Sequence, residues 1–441
     1  MSSSAQTTIV RGRFLDIQSL VQQAQQIPEQ VRYLEDGVLI SENGKIKWFG
    51  TWQDAQPHLP ENIEIQHYPE QLIVPGFIDT HIHYPQTEMV GAYGEQLLSW
   101  LNTYTFPTEL QFKNPAYAQN IAQFFVQELL KNGTTTALVF CTVHRESVDA
   151  LFEAAEHIQM RLIAGKVLMD RHAPDGLCDT PQSAYDDSKA LIEKWHAKGR
   201  ALYAITPRFA PTSTPEQLEK AGQLKQEYPD VYVHTHLSEN KDEIAWVKSL
   251  YPEQKSYLDV YHHYGLTGQR SVFAHCVHLE QDEWQCMHQT DSAIAFCPTS
   301  NLFLGSGLFP LKKTWEQGVK VGLGTDIDIG AGTSFSLLQT VNEAYKVQQL
   351  QGDKLSAYEA LYHATIGGAK ALDLQDQLGN FNVGKEADFV VLNLKATALQ
   401  SLRQSRAKSL DDALFALFTM GDDRNIEATY IYGQCAYQKT K

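Results

Sequence analysis

Cysteine is scarce and scattered in this chain. The six cysteines, Cys141, Cys178, Cys276, Cys286, Cys297 and Cys435, form no C-x-x-C pair, so neither a disulfide framework nor a cysteine zinc site is suggested. Long apolar runs are missing too: none approaches the roughly 18 residues needed to span a membrane. The opening stretch "MSSSAQTTIVRGRF" lacks the charged-then-apolar layout of a secretory leader. These absences lead to the expectation of a cytoplasmic protein with no membrane partner. Positive charge is also in deficit. The formal net charge of −16 argues for solubility and against binding to nucleic-acid backbones. A free nucleobase stays open as a ligand, because it carries no phosphate.

What the chain does have is rhythm. At 441 residues it is too long for one small core, so one large domain or two are expected. Short β-rich runs recur: "VPGFIDTHIH" (74–83), "TTTALVF" (134–140), "RLIAGKVLMD" (161–170), "LYAITPRFAP" (202–211), "VYVHTHLSE" (231–239), "SVFAHCVHL" (271–279), "SAIAFCPTSN" (292–301) and "KVGLGTD" (320–326). Between them lie stretches such as "QNIAQFFVQELLKNG" and "SVDALFEAAEHIQM", whose apolar residues step by three and four, as in an amphipathic helix. Alternating strands and helices imply a parallel sheet. Eight such strands predict an α/β protein built on a TIM-type (β/α)8 barrel; a doubly wound open sheet is the competing topology.

The flanks read differently. Residues 35–50, "EDGVLISENGKIKWFG", are two strand-like runs around Asn43-Gly44, a tight-hairpin signal. Late in the chain, "VGKEADFVVLNL" and "ATYIYGQCAYQ" also read as strands. We expect residues 1–73 and 376–441 to form a small β-sandwich domain from both termini, with the barrel at 74–375.

Active sites of such barrels lie at the C-terminal ends of the strands. Strand one ends with His81 and His83, strand four with Arg208 and Phe209, and strand five with His236 and then Glu239. Strand six holds His275 and strand eight ends with Asp326. The strand period of two puts His81 and His83 on the same side, so both can reach one ion. Three imidazoles and a carboxylate suit Zn²⁺ or Fe²⁺ with room for a water, whose pKa the metal would lower to about 7. Glu239 could then move protons, which together is equipment for hydrolysis at an electrophilic carbon. Blander readings stand beside these. His234 serves either as a supporting contact to a ligand or as packing. His278 reads as surface or packing, and Lys166 as a structural or paired charge. The end of strand four offers no lysine to bridge two metals, so one metal is expected.

At this point the residues resemble the amidohydrolase superfamily: H-x-H in "PGFIDTHIH", a histidine on strand five, another on strand six and the aspartate of "GTD" on strand eight. Four longer stretches resemble the branch of that superfamily that deaminates guanine. They are "HYPQTEMVGAYGEQLLSWLNTYTFPTE" (83–109), "TPRFAPT" (206–212), "THLSEN" (235–240) and "CPTSNLFLGSGLF" (297–309). The resemblance implies a hydrolase that converts guanine to xanthine and ammonia by attack at C2. It implies one Zn²⁺ per subunit, with Fe²⁺ as the alternative, on His81, His83, His236 and Asp326. The proton-shuttling acid falls on Glu239, the further active-site histidine on His275, and Asp326 shares the proton traffic. The purine pocket falls on Gln86, Arg208, Phe209 and His236, with Trp100 and Leu97 as further wall residues. A homodimer is expected.

One departure stands out. Residues 324–333 read "GTDIDIGAGT", as if "DI" were doubled. Either Asp326 or Asp328 could then be the strand-eight ligand; the register of "VKVGLGTD" favours Asp326. Two rival readings remain: a relative acting on another amino- or halogen-bearing heterocycle, and a non-enzymatic relative that kept the fold.

Overall fold

A computed structural model describes residues 6–21, 27–60, 63–92, 104–327 and 331–440 of the chain. Its first four strands are β1 (Thr7–Ile17), β2 (Val31–Glu42), β3 (Lys45–Thr51) and β4 (Ile65–Pro75). Asn43 and Gly44 join β2 to β3 with φ of 51° and 80°. Two successive left-handed residues are what a two-residue turn of this hand needs, and the strands pair antiparallel on either side.

The run at 74–83 is two strands, not one. β4 ends at Pro75 and β5 (Phe77–His83) begins after Gly76. A Cβ at Gly76 would meet Thr135 Oγ1 at 2.1 Å, so only glycine lets the chain pass here from one sheet into the next.

β5 opens the barrel. It is followed by β6 (Thr134–Phe140), β7 (Arg161–Gly165), β8 (Val167–Leu168), β9 (Leu202–Pro207), β10 (Tyr232–Leu237), β11 (Ser271–His275), β12 (Ala293–Phe296) and β13 (Lys320–Leu323). Neighbouring strands pair parallel in the order β5-β6-β7-β9-β10-β11-β12-β13, and β8 is a short continuation of β7 that also pairs with β9. Helices lie between the strands. The one at Pro115–Lys131 shows why: Asn114 caps it and Pro115 takes its first position. Ala118, Ile121, Ala122, Phe125, Val126, Leu129 and Leu130 make its buried face, at the three- and four-residue steps of the sequence.

The ring closes through Asp79 on β5. Its carboxylate accepts from Thr325 N (3.1 Å) and Thr325 Oγ1 (2.5 Å), and the Asp326 N–H donates to His81 O (3.0 Å). Gly324 permits this approach, since a Cβ there would sit 2.9 Å from both His81 Cβ and Cys297 Sγ. Burial pushes the Asp79 carboxyl up to about 7, against hydrogen bonds from Thr325 and His81 that pull it down.

The chain then returns to the first sheet with β14 (Phe389–Leu392), β15 (Ile426–Ile431) and β16 (Gln434–Gln438). The seven strands run β16-β15-β14-β4-β1-β2-β3, so strands from both chain ends share one sheet. Val10, Phe14, Leu39, Ile73, Phe389 and Tyr430 pack together on one face. Leu15, Leu72, Val74 and Val390 join the large barrel core on the other. A buried charge cluster adds to this contact: Arg161 and Arg200, from the barrel, pair with Glu386 and Asp388, which lead into β14. Among the described residues, no helix is long and apolar enough to cross a membrane.

Candidate active site

The predicted residues at the strand ends meet at one mouth of the barrel. His81 and His83 are both buried at the end of β5. His83 Nε2 lies 3.2 Å from His81 Nε2 and 3.2 Å from His236 Nε2. Asp326 Oδ1 is 3.1 Å from His81 Nε2 and 3.7 Å from His83 Nε2. His275 Nε2 sits 3.7 Å from Asp326 Oδ2 and 3.5 Å from Glu239 Oε2.

The partners of the outer ring nitrogens determine what these inner nitrogens offer. His236 Nδ1 is 2.7 Å from the carbonyl oxygen of Arg208, which can only accept, so Nδ1 carries the proton and Nε2 presents a lone pair. His81 Nδ1 lies 2.7 Å from His234 Nε2; with its proton donated there, His81 Nε2 also presents a lone pair. His234 therefore supports a candidate ligand and does not reach the cluster centre. Lone pairs aimed at one another across 3.2 Å repel unless a cation lies between them. Burial, reinforced by the neighbouring imidazoles, holds His83 and His236 well below the usual histidine range, so they are neutral and able to bind a metal. Burial likewise takes His275 down to about 4. Burial acts to raise Asp326, but His81 and His275 outweigh it and hold the carboxyl below its usual range. Both Asp326 oxygens are buried with no hydrogen-bond partner among the described residues. Two inward lone pairs, a third neutral imidazole beside them and an ionised carboxylate fit a divalent metal.

Backbone strain gathers at the same place. Ser238, His275, Cys276 and Asp326 take φ of 50°, 70°, 53° and 51°. Left-handed backbone costs a non-glycine residue roughly 1–2 kcal/mol, and here it turns the chain at the ends of three strands. Asp326 is pinned from its far side as well. Gly332 packs on its carbonyl so closely that a Cβ would overlap it, at 1.7 Å. Asp328 lies outside the described residues, as do Trp100 and Leu97.

Of the predicted purine residues, Gln86 and Arg208 touch the cluster, Gln86 Nε2 at 3.5 Å from His83 Nδ1 and the Arg208 carbonyl at His236 Nδ1. Gln86, Arg208 and Phe209 are all buried, and Phe209 faces Trp246 edge-on at 6.1 Å between ring centres. Lys166 is a buried paired charge, bonded to Asp179. His278 is half-buried, with Nε2 2.7 Å from the carbonyl oxygen of Ser306.

Four residues escaped the sequence reading. Phe140, at the end of β6, packs under His83, His234 and His236 with ring centres 4.5, 4.4 and 4.7 Å away. Asn301 Nδ2 lies 2.9 Å from His275 Nδ1, and Ser306 Oγ donates to Glu239 Oε1 at 3.0 Å. Glu109 is wholly buried, accepting from Arg208 Nη1 at 2.8 Å and Gln86 Nε2 at 3.1 Å. The one signal was an acid set within the short, weakly polar stretch "YTFPTEL".

Comparison with known proteins agrees with this geometry. The amidohydrolase family profile matches residues 72–436. Guanine deaminase of Escherichia coli K12 is 61% identical over 439 residues, covering all of both chains. The solved structure of the E. coli guanine deaminase superposes with a TM-score of 0.94 at 60% identity, covering 99% of this chain and 100% of that one. That of the C. acetobutylicum guanine deaminase, with guanine bound in its active site, does so with a TM-score of 0.87 at 31% identity, covering 98% and 100%. The chain belongs to the amidohydrolase family, in its guanine deaminase branch.

Proposed function

We propose that this site hydrolyses guanine at C2, releasing ammonia and leaving xanthine. The observation that carries this reading is the juxtaposition of a metal-fitting cluster with a buried amide, guanidinium and phenyl ring, in a chain so similar to guanine deaminases. Zn²⁺, with Fe²⁺ as the alternative, would be held by His81, His83, His236 and Asp326, and would polarise a water and lower its pKa to about 7.

The chain's own groups do the rest. Phe209 packs on the purine. Arg208 donates its fork of N–H groups to acceptors such as O6 or a ring nitrogen, and Gln86 supplies an amide that donates and accepts. Adenine presents an amine where guanine presents O6, so it would leave buried donors unpaired, at a cost of about 1–3 kcal/mol each. Glu239 delivers a proton to the ring nitrogen beside C2, which makes that carbon more electrophilic. Ser306 donates to this carboxyl, and His275 Nε2 faces its other oxygen at 3.5 Å. Asp326 takes a proton from the attacking water and returns it to the C2 amine, which leaves as ammonia when the C2–N bond breaks, and His275 stabilises the tetrahedral carbon's new oxygen. We further infer a cytoplasmic homodimer, the commonest closed assembly of soluble chains.

The test is ammonia release from guanine, adenine, cytosine and a triazine, using metal-loaded protein and a chelator-stripped control. Release from guanine alone, lost on stripping and restored by Zn²⁺, is the expected result. Release from another ring only would reject guanine as substrate. Metal-loaded protein silent on all four would favour a non-enzymatic relative.

A further inference from the structure

We propose that Glu109 is a positioning residue that sets how the site holds its purine. This rests on the reading of Gln86 and Arg208 as purine-binding residues. A single oxygen, Glu109 Oε1, accepts from Arg208 Nη1 at 2.8 Å and from Gln86 Nε2 at 3.1 Å. The two donors follow different strands, Gln86 in the 3-10 turn after β5 and Arg208 directly after β9, so one carboxylate ties together two walls of the pocket. Each tie fixes a choice that a free side chain would leave open. With Nε2 donating to Glu109, the carbonyl end of the Gln86 amide is set as the acceptor. With Nη1 held, the plane of the Arg208 guanidinium is set, and with it the direction of its other donors. The carboxylate also balances a cation that is 3% exposed.

The seat of Glu109 is built for rigidity. It ends the short helix Phe106–Glu109, whose Phe106 is buried with Phe140, Val143, Val167, Met169 and Leu177. Just beyond, Phe112 packs edge-on against Tyr84 at 5.1 Å. The second oxygen, Glu109 Oε2, is buried with no hydrogen-bond partner among the described residues. A buried acceptor without a donor is uncommon in a finished structure.

The test is steady-state kinetics on guanine for the wild type, Glu109→Gln, Arg208→Gln and the double variant, with metal content measured on each. Glu109→Gln should keep its metal, raise KM and lower kcat/KM by about 10- to 100-fold, the range expected for losing a hydrogen bond to a charged group. The double variant should lose clearly less than the product of the two single losses, because part of the carboxylate's effect is exerted through the arginine. Losses that multiply in the double variant would overturn the proposal, as would a Glu109→Gln enzyme with wild-type kcat/KM. Should Glu109→Gln fail to fold, Glu109→Asp keeps the charge and shortens the reach; an intermediate rise in KM supports the proposal and a wild-type KM overturns it. A metal-loaded wild type that is inactive on guanine would remove the substrate reading and this inference together. An active wild type beside an unaffected variant removes this inference alone.

Discussion

His81 Nδ1 lies 2.7 Å from His234 Nε2, deep in the barrel where neither ring is exposed. Burial, followed by the neighbouring imidazoles, holds His234 well below the usual histidine range, so it is neutral and can accept the proton of His81. That contact orients the His81 ring and directs its other nitrogen to the cluster. His234→Ala is therefore expected to weaken metal binding by about 10- to 100-fold, the usual effect of removing a partner that orients a ligand. Competition of the purified variant against a graded chelator measures it; wild-type retention of metal would refute the role.

Glu239 accepts from Ser306 and faces His275 without belonging to the nitrogen cluster. Glu239→Gln should leave metal content unchanged and lower kcat by about 10²- to 10⁴-fold, the range of a lost general acid–base group. Near-normal turnover, read as ammonia release, would defeat this assignment. His81→Ala is the complementary case and should be isolated with its metal largely lost.

The charge cluster joining the barrel to the first sheet makes a stability prediction. Arg200 reaches both Glu386 and Asp388, and all three are largely buried. Arg200→Met strands Asp388, while Glu386 keeps Arg161, and should destabilise the fold by about 3–5 kcal/mol in denaturant unfolding. Burial acts to raise Glu386, but Arg200 and Arg161 outweigh it and leave the carboxyl below its ordinary value. A lowered folded-state pKa adds stability that is fully present above the unfolded value of about 4.3 and is lost as pH falls through the lower folded one. The gap between wild type and Arg200→Met should therefore narrow below about pH 4. A gap that stays constant across that window would count against the cluster.

Gly324 stands where β13 presses on β5. A methyl group there meets His81 Cβ and Cys297 Sγ at 2.9 Å and the His81 carbonyl oxygen at 3.0 Å. Gly324→Ala should lower the melting temperature, at a cost of about 1–3 kcal/mol, and reduce metal content as well. Unchanged metal content would mean that the strand end tolerates the shift.

Much of this was legible in the chain. His81 and His83 announced themselves because a strand's two-residue period puts them on one side, and Asn43-Gly44 because few other pairs accept two left-handed angles. The apolar steps of 115–131 foretold a helix and its buried face. Other features were not legible. "VPGFIDTHIH" reads as one strand, since nothing local shows that Thr135 will crowd Gly76. Glu109 looks like an ordinary surface acid until Arg208 and Gln86 close around it. The sequence alone determined the alternation of strands and helices, the residue types at the strand ends and the family resemblance, because periodicity and short motifs report local backbone geometry. Only the tertiary structure decided which nitrogen of each histidine faces the cluster, what holds Glu239 and Arg208 in place, and how Arg161 and Arg200 join the two sheets. Those outcomes depend on contacts between residues far apart in the chain, which exist only once the barrel has closed.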